Sequence, residues 1–372
     1  MNSKDRIDAV VNLDIPDRVP VGPLLDHFAA TYSGYTTAEI MRDGEKRIKA
    51  VLKTMKDLGP WDITFAADTA NACLLKMGVP VRIQLPGKEL PENEVHQFEE
   101  IEFLQEEDYD FFIKNGFYKF MIDINKRLYP EETRLQNLKD LFITIKDLRK
   151  HRKMIESSGS ELGCSFIIPG TFFEYFSLGR GLVKTSLDLY DRPQKILDAG
   201  KIWAKAFTRL AIITTRIVGS KRIFIGMSRT SPALMSPKHF ETFVLPELEY
   251  MVNKIVEAGL TPLLHCDTNW LKSLHLFRRF PKKKCILELD SFTDIFKAKE
   301  ILGDHMCLMG DVPATLQSRG TRDEVLSYCK KLIQEVGKGG GFILSSGCSI
   351  PFNAKTENVK AMREAVEKWG KY

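Results

Sequence analysis

Short runs of β-branched and apolar residues recur along the chain. Between most of them lie stretches with the three-to-four-residue apolar spacing of amphipathic helices. Arg18–Pro23 is the first run, and a helical pattern over Thr37–Leu58 follows it. Asp62–Ala67 is the second, and a long insertion at about 69–163 comes after it. Ser165–Pro169 leads into predicted helices near Gly181–Asp188 and Gln194–Val218. Arg222–Gly226 precedes a helix start signal at Ser236-Pro237 and a helix to about Ala258. Thr261–His265, Cys285–Asp290, Met306–Gly310 and Gly341–Ser345 complete the set, with helical segments such as Phe292–Leu302 and Arg322–Val336 among them.

Eight strands alternating with helices predict an α/β chain closed into a (β/α)8 barrel. It would be a single domain over 1–372 with the insertion after strand 2. An open doubly wound sheet is the alternative, but no G-x-G-x-x-G turn follows the first strand. The Gly-rich stretch Gly337-Lys338-Gly339-Gly340-Gly341 precedes a strand instead of opening a helix, so it reads as a connecting loop.

Composition agrees with a large core: 44% of the 372 residues are hydrophobic and 28% charged. The net charge of +5 is modest and the two signs intermingle. Even the densest basic run, Arg278–Lys284, reads as a solvated loop, so no nucleic-acid partner is expected. The first residues form no signal-peptide core, and no apolar run is long enough to span a bilayer. The seven cysteines are odd in number and mostly sit inside apolar runs. Reduced core thiols in a cytoplasmic protein are the expectation.

In a barrel, chemistry gathers at the carboxyl ends of the strands. Those ends carry Asp26 and His27, Asp68, the run Phe172–Phe176, Arg229, His265 to Asn269, Glu288 to Asp290, Asp311 and Cys348. His265 and Asp267 are two apart on an extended segment and project to one face, while Cys266 points the other way. A soft thiolate at Cys348, on a turn between Gly347 and Pro351, would complete a zinc-type set with them. Other readings stand beside this one: a hydrogen-bonded His265, an Asp267 that caps the next helix, and an inert buried Cys348 thiol.

Glu288 and Asp290 share a face, and each is a candidate oxygen ligand or a partner holding the imidazole. Phe172, Phe173 and Tyr175 either form helix core or wall a pocket for a flat substrate. Arg229 either neutralises a substrate anion or pairs with a nearby acid.

The chain resembles the uroporphyrinogen decarboxylase superfamily, and within it the corrinoid-dependent methyltransferase branch. The resemblance rests on Asp17-Arg18-Val19-Pro20, Leu234-Met235-Ser236-Pro237 with Phe243-Val244-Leu245-Pro246, Gly310-Asp311-Val312-Pro313, and above all the closing segment Gly340–Met362. It implies the same (β/α)8 barrel. True decarboxylases carry an Arg-Gln-Ala-Gly-Arg stretch after the first strand, where this chain has Asp26-His27-Phe28-Ala29-Ala30.

The methyltransferase branch implies zinc held by a His-x-Cys pair after the fifth strand and a Cys after the eighth. His265 and Cys348 match the outer two positions, and Asp267 replaces the middle thiolate. A hard oxygen there makes zinc a stronger Lewis acid. The resemblance therefore implies removal of a methyl group from a methoxylated, aromatic small molecule. The acceptor would be cob(I)alamin on a partner corrinoid protein, because no Asp-x-His-x-x-Gly signature occurs in this chain. Asp26, His27, Asp68 and Asp311 would move the proton or orient the ring, and Phe172, Phe173, Tyr175, Arg229 and Asp290 would bind the substrate. Two alternatives use the same barrel: methyl transfer from methylcobalamin to a thiol, and a non-catalytic tetrapyrrole or small-ligand binder.

Overall fold

Inward and outward side chains alternate on the central strands and sort the core into two compartments. Leu263, Ile286, Met309 and Ile343 join Phe224 in an inner cluster, while Leu264, Leu287, Leu308 and Leu344 pack outward against helices. The computed structural model describes residues 1–66 and 70–372.

Among these residues the strands are β1 (Ile63–Thr64), β2 (Ile83–Gln84), β3 (Gln97–Phe98), β4 (Glu161–Leu162), β5 (Ile167–Ile168), β6 (Arg222–Met227), β7 (Thr261–Cys266), β8 (Ile286–Leu289), β9 (Cys307–Val312) and β10 (Phe342–Ser346). A six-stranded parallel sheet runs in the order β10-β9-β8-β7-β6-β5. β1 pairs in parallel with β4, and β2 pairs antiparallel with β3 inside the insertion. The helices of the insertion are Ala72–Gly78, Glu107–Leu128 and Arg134–Ser157.

Three expected strands take a reduced form, the second, Asp62–Ala67, keeping only β1 among its described residues. Around Pro20 and Pro23 the chain makes isolated parallel bridges, Val21 to Leu344 and Leu24 to Ser349, because proline has no N–H to extend a ladder. Gly22 lies so near Ile63 that a Cβ would fall 2.4 Å from its carbonyl oxygen. The third run, Ser165–Pro169, keeps only β5, and β4 forms before it on the far side of Gly163, where a Cβ would lie 2.5 Å from the Phe65 ring. The helix expected over Thr37–Leu58 is also two, Thr37–Arg42 and Gly44–Leu58. Asp43 ends the first and caps the second by accepting from the Glu45 and Lys46 amides.

The amino ends of the strands are sealed. Ile7 and Val10 of the helix Ser3–Val11 complete the inner apolar cluster. Buried Asp62 accepts from Arg6 Nη1 at 2.5 Å, Arg18 Nη1 at 2.7 Å and the Val21 amide at 2.9 Å. Arg6 also holds Asp17 at 2.7 Å, and that hydrogen bond keeps the Asp17 carboxyl far below its usual range. This network explains the Asp17-Arg18-Val19-Pro20 sequence in structural terms. No described helix is long and apolar enough to cross a membrane, and all seven cysteines are free.

Candidate metal centre

β7 carries the alternation inward at Leu263 and His265, and its neighbours set the environment of the imidazole. The register places Gly226 on one side of His265 and Glu288 on the other. Phe224, one step below, stacks on the His265 ring with centroids 5.1 Å apart. Glu288 Oε2 lies 3.0 Å from His265 Nδ1, and Asp267 Oδ1 lies 3.1 Å from Nε2. Both ring nitrogens are therefore engaged by carboxylates. Burial alone would lower the affinity of this imidazole for a proton. The charge of Glu288 and hydrogen bonds to Asp267, Cys348 and Glu288 outweigh burial and raise it well above the ordinary value.

Cys348 arrives from the loop after β10. The Gly347 amide donates to the Val312 carbonyl at 2.9 Å. A Cβ on Gly347 would fall 2.9 Å from the backbone carbon and oxygen of Asp290, so only glycine permits this approach. Ser349 then bridges to Leu24, and its hydroxyl donates to Asp26. One ligand atom from each of His265, Asp267 and Cys348 lies within 4.8 Å of the other two.

The three donors suit a metal of zinc type: one imidazole nitrogen, one carboxylate oxygen and one sulfur. Glu288 behind the imidazole is the outer partner such a histidine ligand requires. Its second oxygen, Oε1, is buried without a hydrogen-bond partner, as expected where a positive charge would balance it. Cys266 lies in the outer core, and burial raises its thiol well above the usual range, so it stands apart from the donors.

The remaining candidates fall in several places. Asp26 meets the Cys348 loop through Ser349. His27 Nε2 lies 3.1 Å from His96 Nδ1, and His27 Nδ1 is buried without a partner. Burial lowers both imidazoles, His96 to about 4, so the pair is neutral near pH 7. Asp290 accepts the Thr268 amide at 2.6 Å and the Phe292 amide at 2.9 Å. Asp68 lies outside the described residues.

Three expectations meet a different placement. Phe172, Phe173 and Tyr175 are 0–2% exposed and belong to the outer core. Tyr175 packs on Trp203 at 4.2 Å and Phe172 on Phe112 at 5.2 Å. They stand in the helix layer because Phe172–Arg180 is a helix wedged against Glu107–Leu128 and Pro193–Val218. Arg229 points its guanidinium at the Ser177 carbonyl and at Glu100, 3.1 and 3.2 Å away. Asp311 accepts from Tyr328 at 2.8 Å, on the helix Arg322–Lys331, and burial pushes its carboxyl up to about 7.

Two residues escaped the sequence reading. His96 comes from the insertion, where no strand-end signal marks it. Glu174 had a signal: a lone carboxylate inside Phe172-Phe173-Glu174-Tyr175-Phe176 must find donors. It accepts the Ser228 and Arg229 amides and the Ser228 and Thr230 hydroxyls, which fixes the loop after β6.

Comparison with known proteins gives these features a context. The family profile described as uroporphyrinogen decarboxylase (URO-D) matches residues 162–369. A uroporphyrinogen decarboxylase of Methylococcus capsulatus is 32% identical over 84 residues, covering 22% of this chain and 23% of its own length. One from Coxiella burnetii is 26% identical over 259 residues, 66% of each chain. The chain thus matches less than two thirds of the length of these curated relatives. A methyltransferase from Methanosarcina mazei superposes with a TM-score of 0.74 at 17% identity, covering 99% of both chains, a likeness of fold.

Proposed function

The chain belongs to the uroporphyrinogen decarboxylase family, and from that premise we propose that it is a zinc-dependent methyltransferase. It would demethylate a methoxylated, aromatic small molecule and pass the methyl group to a partner corrinoid protein. The single observation that carries this reading is the convergence of His265, Asp267 and Cys348, backed by Glu288.

We read the eight extended segments as a closed barrel forming one domain, which would put that convergence at its mouth. Closure is supported by the Val21–Leu344 bridge and by the Asp62 amide donating to the Val21 carbonyl at 2.7 Å. The β1–β4 and β5–β6 pairings support it on the other side.

His265, Asp267 and Cys348 would hold the zinc. Bound there, zinc supplies Lewis acidity toward the ether oxygen of the methyl donor. A corrinoid on the partner protein supplies the cob(I)alamin nucleophile. Glu288, accepting from His265 Nδ1–H, leaves Nε2 as the donor atom on the side of Asp267 and Cys348. Asp26, and neutral His27 as an acceptor, are the groups of this chain we would assign to orient the substrate and relay the proton that solvent delivers to the departing oxygen. Exposed Phe292 and Phe352, on the loops after β8 and β10, offer apolar surface beside the mouth for a partner with a large flat cofactor.

Decarboxylation of a tetrapyrrole is the reading suggested by the names of the curated relatives. The stretch Asp26–Ala30, acidic and apolar where substrate carboxylates would need arginines, argues against it. The test is a panel of methoxylated aromatics incubated with reduced corrinoid protein. Release of the phenol with methylcobalamin formation is expected. Methylation of a thiol by methylated corrinoid protein, with no ether cleaved, would assign the opposite direction of transfer.

A further inference from the structure

We propose that Thr268 and Asp290 are positioning residues that set Asp267 into the metal centre, an inference that rests on the metal-site reading above. Thr268 follows Asp267 directly and has φ +69°, a left-handed conformation that β-branched residues rarely adopt. All of its polar groups are tied down, each to a different residue. Its amide donates to Asp290 Oδ2 at 2.6 Å, its hydroxyl meets Ser231 Oγ at 2.6 Å, and its carbonyl accepts from Thr293 Oγ1 at 3.0 Å.

The backbone of Asp267 is fixed as well. Its amide donates to the Met227 carbonyl at 3.0 Å, and its carbonyl accepts from Trp270 Nε1 at 2.7 Å. The strand therefore ends in a turn that leaves the Asp267 carboxylate 3.1 Å from His265 Nε2. Without such anchors, a side chain 35% exposed to solvent would have little reason to stay there.

Asp290 links both ligand loops. Its carboxylate holds the Thr268 amide, and its backbone is the surface on which Gly347, the residue before Cys348, packs. With one oxygen on Thr268 and the other on the Phe292 amide, it serves geometry in place of the substrate contact expected from sequence. A strained residue held from three sides persists only where its surroundings over-determine it, and such residues cluster at functional sites.

Co(II) substituted into the full-length protein reads the coordination directly. In Asp290→Ala, Co(II) binding is expected to weaken by roughly tenfold to a hundredfold. Its ligand-field bands should shift as Asp267 is lost, while the thiolate charge-transfer band from Cys348 persists. Thr268→Gly keeps the left-handed backbone accessible and removes the hydroxyl anchor with the rest of the side chain. It should shift the same bands with a loss of up to roughly tenfold, and it carries the test if Asp290→Ala does not fold. A folded Asp290→Ala or Thr268→Gly protein with wild-type affinity and an unchanged spectrum overturns the positioning role alone. Wild-type protein that binds no Co(II) overturns the metal-site reading and this inference together.

Discussion

Glu288 Oε2 stands 3.0 Å from His265 Nδ1, and the parallel register of β7 and β8 sets the two residues side by side. Glu288 is fully buried, and its other oxygen has no hydrogen-bond partner. This pairing decides which histidine nitrogen faces Asp267 and Cys348. In the proposed centre it would make a strand-end histidine a directed donor.

Replacing Glu288 by Gln keeps its shape and removes its charge. Zinc affinity is expected to fall by roughly tenfold to a hundredfold, measured by competition with a chromophoric chelator. An unchanged affinity would mean that His265 is oriented by Phe224 stacking and Asp267 alone.

Gly347→Ala places a methyl group 2.9 Å from the Asp290 backbone, which cannot rotate away. The loop carrying Cys348 must retreat, so both stability and metal retention should drop. Urea denaturation is expected to show a loss of about 1–3 kcal/mol. Wild-type stability with full metal content would show that the loop has slack.

Much of the centre was legible because strand periodicity is simple. Period two put His265 and Asp267 on one face and sent Cys266 into the outer core, where it lies. Gly347 and Pro351 marked the Cys348 turn. Roles that depend on a third element were not legible. Glu288 and Asp290 share a face, yet only the neighbouring strand and loop make one an imidazole partner and the other an anchor for Thr268. Asp311 sits at a strand end like the others but turns to Tyr328, seventeen residues onward. The Phe172 run carries helix spacing, and helix packing claimed it. The prolines of the first run reduced it to isolated bridges, a loss that β-propensity does not reveal.

At the sealed end, Asp62→Ala leaves two arginines facing a buried site with one fewer carboxylate. Arg6 is only 6% exposed, so its charge is poorly screened. Breaking a buried pair from one side typically costs about 3–5 kcal/mol. Chemical denaturation of the metal-free protein should show a loss on this scale. A loss below about 1 kcal/mol would mean that Asp17 and water compensate.

Glu247 predicts a pH dependence remote from the metal. It is buried, forms no ion pair among the described residues, and accepts the Phe172 amide at 2.9 Å. Burial pushes its carboxyl from 4.5 up to about 8. Between those values the folded chain keeps a proton that the unfolded chain releases. Stability from this group is thus full below about 4.5 and is lost as pH rises toward about 8, at up to about 1.4 kcal/mol per pH unit. Denaturation midpoints of wild type and Glu247→Gln across that range should show a flatter profile for the variant. Parallel profiles would show that Glu247 is ionised in the folded state.

Elemental analysis of the purified full-length protein, run beside His265→Ala and Cys348→Ala, tests the central claim most directly. The expected result is near-stoichiometric zinc in the wild type and its loss in both variants, each still unfolding cooperatively. Wild-type protein that takes up no zinc, or variants that keep it, would contradict the metal centre on which the proposed methyl transfer depends.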